Sequence, residues 1–123
     1  MSGHPENSYR QGYRFRTGVR AEVQDNGRTF ACEAQNVSRS GVLLVGDLPA
    51  PSTEIVEFAL NAPTGSLTVH LRGRVIRSQP SAEGGGLSIA LEFVDMDESR
   101  RGALEDLLAR LLESPAGGSF EGL

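Results

Sequence analysis

The stretch Phe30-Ala31-Cys32-Glu33-Ala34-Gln35-Asn36-Val37-Ser38-Arg39-Ser40-Gly41-Val42-Leu43-Leu44-Val45 decides how this chain folds. It reads as two apolar runs, Phe30 to Ala34 and Val42 to Val45, joined by the polar turn Asn36 to Gly41. Alternation in the first run puts Phe30, Cys32 and Ala34 on one face of a half-buried strand. Within the turn, the Asn36 amide can bond the backbone or present donors and an acceptor outward. The Ser38 hydroxyl, two residues on, reaches the same side. Gly41 removes a Cβ where the chain needs a positive φ or a ligand needs close approach.

Working outward, Val19-Arg20-Ala21-Glu22-Val23 alternates apolar and charged residues, and Asp25-Asn26-Gly27 turns the chain back, Asn-Gly being a strong hairpin signal. Downstream, Asp47 to Ser52 with two prolines reads as a loop. Thr53 to Leu60 alternates again. A longer strand runs from Ser66 to about Arg77, with Leu67, Val69, Leu71 and Val75 inward and Thr68, His70, Arg72 and Arg74 outward. After the glycine-rich loop Ser81 to Gly86, Leu87 to Val94 forms a last strand with Leu87, Ile89, Leu91 and Phe93 on one face. Asp95 followed by Glu98 has capping-box spacing. The helix behind it carries Leu104, Leu107, Leu108, Leu111 and Leu112 on one stripe, and Pro115, Gly117 and Gly118 end it. The expected fold is mainly β: a six-stranded antiparallel β-barrel with a C-terminal α-helix.

Length and composition restrict the function classes. A chain of 123 residues with 38% apolar content supports one core. The expected organisation is a flexible N-terminal arm at 1–13, the barrel and helix at 14–113 and a disordered tail at 114–123. No apolar run is long enough to span a membrane. Met1 to Asn7 lacks the basic and apolar regions of a secretory signal, which points to a cytoplasmic protein. The lone cysteine, Cys32, leaves no internal disulfide and no paired-cysteine metal site, and its place on the strand makes it a core filler. His70 on an outward strand position and His4 on the arm make no metal or nucleophilic pair. No nucleophile is paired with a base, so neither catalytic residues nor a cofactor are expected.

A net charge of −4 speaks against a sequence-independent DNA or RNA binder. The charge is uneven, however. Residues 1–41 hold six Arg against four acids, whereas residues 79–123 hold three Arg against nine acids, and all twelve basic residues are Arg. Arg10 and Arg14 form an Arg-x-x-x-Arg pair on the arm, where both guanidinium groups can converge on one ligand. Arg16 and Arg20, the second such pair, fall at and inside a strand, which would hold them ~13 Å apart.

The Arg10/Arg14 pair, the hairpin and Asn36-x-Ser38-x-x-Gly41 opening the third strand resemble, in order and spacing, the PilZ domain, a bacterial receptor for cyclic di-GMP (c-di-GMP). The resemblance covers about residues 9–112. Three positions depart from the usual pattern: Tyr9 precedes Arg10 where a basic residue is frequent, Asn36 stands for the more usual Asp, and Ser88 and Ala90 replace a Gly-x-Gly before Phe93.

The resemblance implies that Arg10, Arg14, Asn36, Ser38 and Gly41 bind cyclic di-GMP; beside them, and independently of the resemblance, Tyr9, Tyr13 and Arg39 are candidate additional contacts. The chemistry is suitable, because each guanine offers O6 and N7 to a guanidinium fork. The expected mechanism is a switch in which the dinucleotide orders the arm and creates a surface for an unidentified downstream protein, as in motility signalling. The receptor would be a monomer or a ligand-linked homodimer. Two other readings stand beside it: a PilZ-like adaptor that binds no nucleotide, and an OB or cold-shock barrel on single-stranded nucleic acid. The latter needs aromatics interleaved with basic residues on a strand face, and this chain is only 6% aromatic.

Overall fold

The computed structural model describes residues 18–63, 66–81 and 85–113. The expected arm and tail, with Tyr9, Arg10, Tyr13, Arg14 and Arg16, lie outside these described residues. The elements are β1 Arg20–Asp25, β2 Arg28–Val37, β3 Gly41–Gly46, β4 Ile55–Asn61, β5 Thr68–Pro80, β6 Leu87–Val94 and α1 Glu98–Glu113.

The six strands close into an antiparallel barrel in the order β1-β2-β3-β6-β5-β4, with β4 pairing back onto β1. The mainly β fold with a C-terminal helix is therefore the one read from the sequence. The β1–β2 hairpin turns through Asn26 (φ 59°) and Gly27 (φ 80°), the paired left-handed conformations of a two-residue turn whose twist matches its strands.

Alternating inward residues fill the barrel: Ala21 and Val23 from β1, Val42 and Leu44 from β3, Phe58 and Leu60 from β4, Val69 and Leu71 from β5, and Ile89, Leu91 and Phe93 from β6. Phe58 and Phe93 stack with ring centroids 6.1 Å apart. Leu104, Leu107 and Leu111 of α1 join the same core, whereas Leu108 is partly buried and Leu112 is 52% exposed. The apolar stripe of the helix is thus narrower than the leucine pattern suggested. Burying each such leucine contributes about 1.5–3 kcal/mol, so the helix is held mainly by packing.

Two strands break their alternation. In β2 the register with β3 passes from Ala34↔Leu44 to Asn36↔Leu43, leaving Gln35 as an extra residue. In β5 the register with β6 passes from Val75↔Leu91 to Arg77↔Ala90, leaving Ile76 extra. Such bulges reverse the facing of every later residue. Accordingly Ala34 and Val37 are both fully buried although they lie three residues apart, and Ile76 is 58% exposed.

The helix start differs from the capping-box reading. Asp97 is the cap: its Oδ1 accepts the Arg100 N–H at 2.8 Å. Asp95 instead adopts a left-handed conformation (φ 55°) as the chain leaves β6. Its carboxylate takes Arg72 Nη1 at 3.2 Å, and its carbonyl accepts Arg100 Nη1 at 3.0 Å. Arg72 also donates to Glu57 Oε2 at 3.0 Å, so this guanidinium ties β4 to the β6–α1 corner. No helix among the described residues is long and apolar enough to cross a membrane.

Candidate functional site

The polar turn between β2 and β3 is built around one hydroxyl. Ser38 Oγ accepts the N–H groups of Ser40 and Gly41, each at 3.2 Å, and can donate to the Gly41 carbonyl at 3.3 Å. The Ser38 N–H donates to that same carbonyl at 2.9 Å. The Ser38 proton is therefore the loosest member of the turn: its bond is long, and its acceptor already has a better donor. Swinging the hydroxyl proton toward a ligand leaves the two accepted bonds in place. The Phe93 N–H donates to the Ser40 carbonyl at 2.9 Å, which clamps the turn onto β6.

Gly41 is required for packing. A Cβ there would run into the backbone carbonyl oxygen of Leu91, closer than real Cβ atoms come. Its φ is not in the left-handed range, so neither turn strain nor a ligand is needed to explain the glycine. The sequence pointed to a small residue here; its physical reason is the closeness of β3 and β6.

Beside the turn an open pocket of about 260 Å³ lies on the outer wall of the barrel. Asn36, Ser38, Ser40 and Gly41 line one side, and Ala90 and Arg77 the other. Three of the five residues expected to hold a ligand therefore share one depression. The other two, Arg10 and Arg14, lie outside the described residues, as do Tyr9 and Tyr13. Arg39 sits exposed at the turn tip and does not line the pocket.

Cross-strand pairing explains the shape of this wall. Asn36 pairs with Leu43, Leu43 with Ala90, and Ala90 with Arg77, a single row across β2, β3, β6 and β5. Both ends of the row depend on the bulges. Uninterrupted alternation from buried Ala34 would turn Asn36 inward, and from Val75 it would turn Arg77 inward. The small side chain of Ala90 keeps the middle of the row low.

Alternation marks Arg77 only as the end of a strand. Two breaks in alternation could have exposed its position: the polar pair Gln35-Asn36 before Val37, and the apolar pair Val75-Ile76 before Arg77. The register that aligns the two breaks is not visible in either segment.

The electrostatics separate this pocket from another of about 270 Å³ on the β1–β4–β5 wall. That one is lined by Glu22 and Glu57 as well as His70, Arg72 and Arg100, and its carboxylates repel an anion. Among the described residues no acid lines the Asn36–Arg77 pocket, although the chain is acidic overall. Cys32 is half-buried on β2, and burial, with Glu33 beside it, pushes its thiol up to about 12, so it stays a neutral packing group. His70 is exposed on β5, as its alternation implied. No cluster of three or more metal-ligating side chains occurs among the described residues.

The PilZ domain family model matches residues 8–110, nearly the whole described chain. The chain belongs to the PilZ domain family. Solved structures share its fold at low identity. The Bacillus subtilis inhibitor of motility MotI/DgrA superposes with a TM-score of 0.65 at 17% identity, over 84% of this chain and 51% of that one. Apo MrkH from K. pneumonia gives 0.64 at 14% identity, over 91% and 52%. The PilZ domain of CeSA from a cellulose-synthesizing bacterium gives 0.58 at 15%, over 81% of this PilZ chain and 98% of that domain. The chain thus spans about half the length of the first two. No curated protein sequence matches it.

Proposed function

We propose that this PilZ domain is a cyclic di-GMP receptor whose N-terminal arm folds over the outer wall of the barrel when the dinucleotide binds. The supporting observation is the pocket that gathers Asn36, Ser38 and Gly41 at the mouth of the β2–β3 turn, with no acid among the described residues that line it. Arg10 and Arg14 close on the ligand from the arm as guanidinium forks on guanine edges or phosphates. Asn36 reaches a polar edge of a guanine, Ser38 donates its loosely held proton, and the turn backbone at Gly41 sets the approach. Tyr9, Tyr13 and Arg39 add contacts at the periphery. Ordering of the arm creates the surface that a downstream protein reads, in the cytoplasm, with the receptor a monomer or a ligand-linked dimer.

Titration calorimetry with cyclic di-GMP on the wild type and on Arg14→Ala tests this reading. Binding by the wild type that is strongly weakened in the variant is expected; no binding by the wild type removes the nucleotide from the account.

One observation favours a second reading, an adaptor that works by protein contacts alone. Ser38 and Gly41 each have a structural reason to be present, the turn and the β3–β6 contact, that holds without any ligand. The same titration separates the two readings.

A further inference from the structure

The row Asn36–Leu43–Ala90–Arg77 crosses four adjacent strands, three inter-strand spacings or ~14 Å in all. One end carries an amide, the other a guanidinium, and the middle is floored by a half-exposed leucine and an alanine. Most arginines that the structure describes on β5 and α1 are in use. Arg72 bridges Glu57 and Asp95, Arg100 reaches Asp97 and the Asp95 carbonyl, Arg101 donates to the Met96 carbonyl, and Arg110 lies near Asp106. Among the described residues the Arg77 side chain makes no hydrogen bond or ion pair, and it is the one charged side chain in the pocket wall. The bulge at Ile76 turns it outward at the level of Asn36.

From this placement we infer that Arg77 is a further ligand-binding residue. It takes a phosphate or guanine edge at the end of the ligand remote from the β2–β3 turn, while Leu43 and Ala90 carry the face of the intervening group. The inference rests on the cyclic di-GMP reading and extends it. The barrel itself supplies a cation on β5, so the ligand is held between the two ends of a rigid row. A dinucleotide with two phosphates and two bases can engage both ends of such a row, whereas a mononucleotide engages one. A guanidinium fork matches either acceptor.

Calorimetry on the full chain with cyclic di-GMP decides it, using wild type, Arg14→Ala, Arg77→Ala, Arg77→Glu and Ala90→Leu. Arg77 is exposed, so its substitution leaves the core intact, and thermal melts confirm that each variant is folded. The expected result is that Arg77→Ala and Arg77→Glu each bind at least about tenfold more weakly than wild type, the scale of one lost charge-assisted contact. Ala90→Leu is also expected to be weaker, because it raises the floor. A loss below tenfold in Arg77→Ala, with Arg14→Ala still impaired, overturns the role of Arg77 and leaves the receptor reading standing. Absence of binding by the wild type overturns both.

Discussion

The backbone carbonyl of Leu91 occupies the space that a Cβ on Gly41 would need. This contact locks the start of β3 against β6, directly beside Ser40, whose carbonyl receives the Phe93 N–H. Replacing Gly41 by Ala forces two backbones apart, with no flexible side chain available to give way. Gly41→Ala is expected to destabilise the barrel by about 1–3 kcal/mol, read from urea unfolding midpoints at unchanged m-value. An Ala variant as stable as wild type contradicts the packing role.

Ser38 organises its turn through two accepted N–H bonds. Ser38→Ala strands both donors at the edge of the turn, where water replaces them in part, and a loss of about 1 kcal/mol is expected. Ser38→Thr keeps the oxygen and is expected to recover most of that stability in the same unfolding experiment. Equal losses for Ala and Thr would show that the hydroxyl is not what holds the turn.

The assignment of the helix cap to Asp97 separates it from Asp95 by mutation. Asp97→Ala removes the acceptor for the Arg100 N–H and is expected to cost about 0.5–2 kcal/mol. Asp95→Asn keeps a residue that tolerates the left-handed conformation, and it weakens only an exposed ion pair with Arg72, so an effect below about 1 kcal/mol is expected. Thermal melts of the two variants check the order; the reverse order restores Asp95 as the cap.

Cys32 gives a pH-dependent prediction. Burial raises its thiol from the ordinary 9.0 to about 12. Between these values the unfolded chain releases the proton while the folded chain retains it, so stability falls as pH rises from about 9 toward 12. Below pH 9 both states hold the proton and the thiol adds no pH dependence. Denaturant titrations of wild type and Cys32→Ala across this window are expected to show a shallower fall in the variant. In the folded wild type, alkylation at pH 8 is expected to be much slower than in the unfolded chain, because little thiolate is present.

Much of the architecture was legible before any coordinates. Alternation placed the strands, Asn26-Gly27 placed the first hairpin, and the leucine spacing placed the terminal helix. The turn residues Asn36, Ser38 and Gly41 were legible as a group for the same reason: they lie within six consecutive positions. The boundaries moved where alternation broke. β2 continues to Val37 and β5 to Pro80, because a bulge lets a strand pass an odd residue without ending.

What the amino-acid order determined by itself is everything that propensity and period encode locally: six strands, one helix, the tight turns and the polar corner. Only the closed barrel decided that Arg77 stands level with Asn36, that Gly41 is filled by Leu91, and that Asp97 caps the helix while Asp95 turns toward Arg72. The farthest of those relationships, Gly41 with Leu91, links residues fifty positions apart through a register set by cyclic strand pairing. One inserted residue in either bulged strand reverses which side chains face out, and no short window of sequence carries the information that the two insertions fall at the same height.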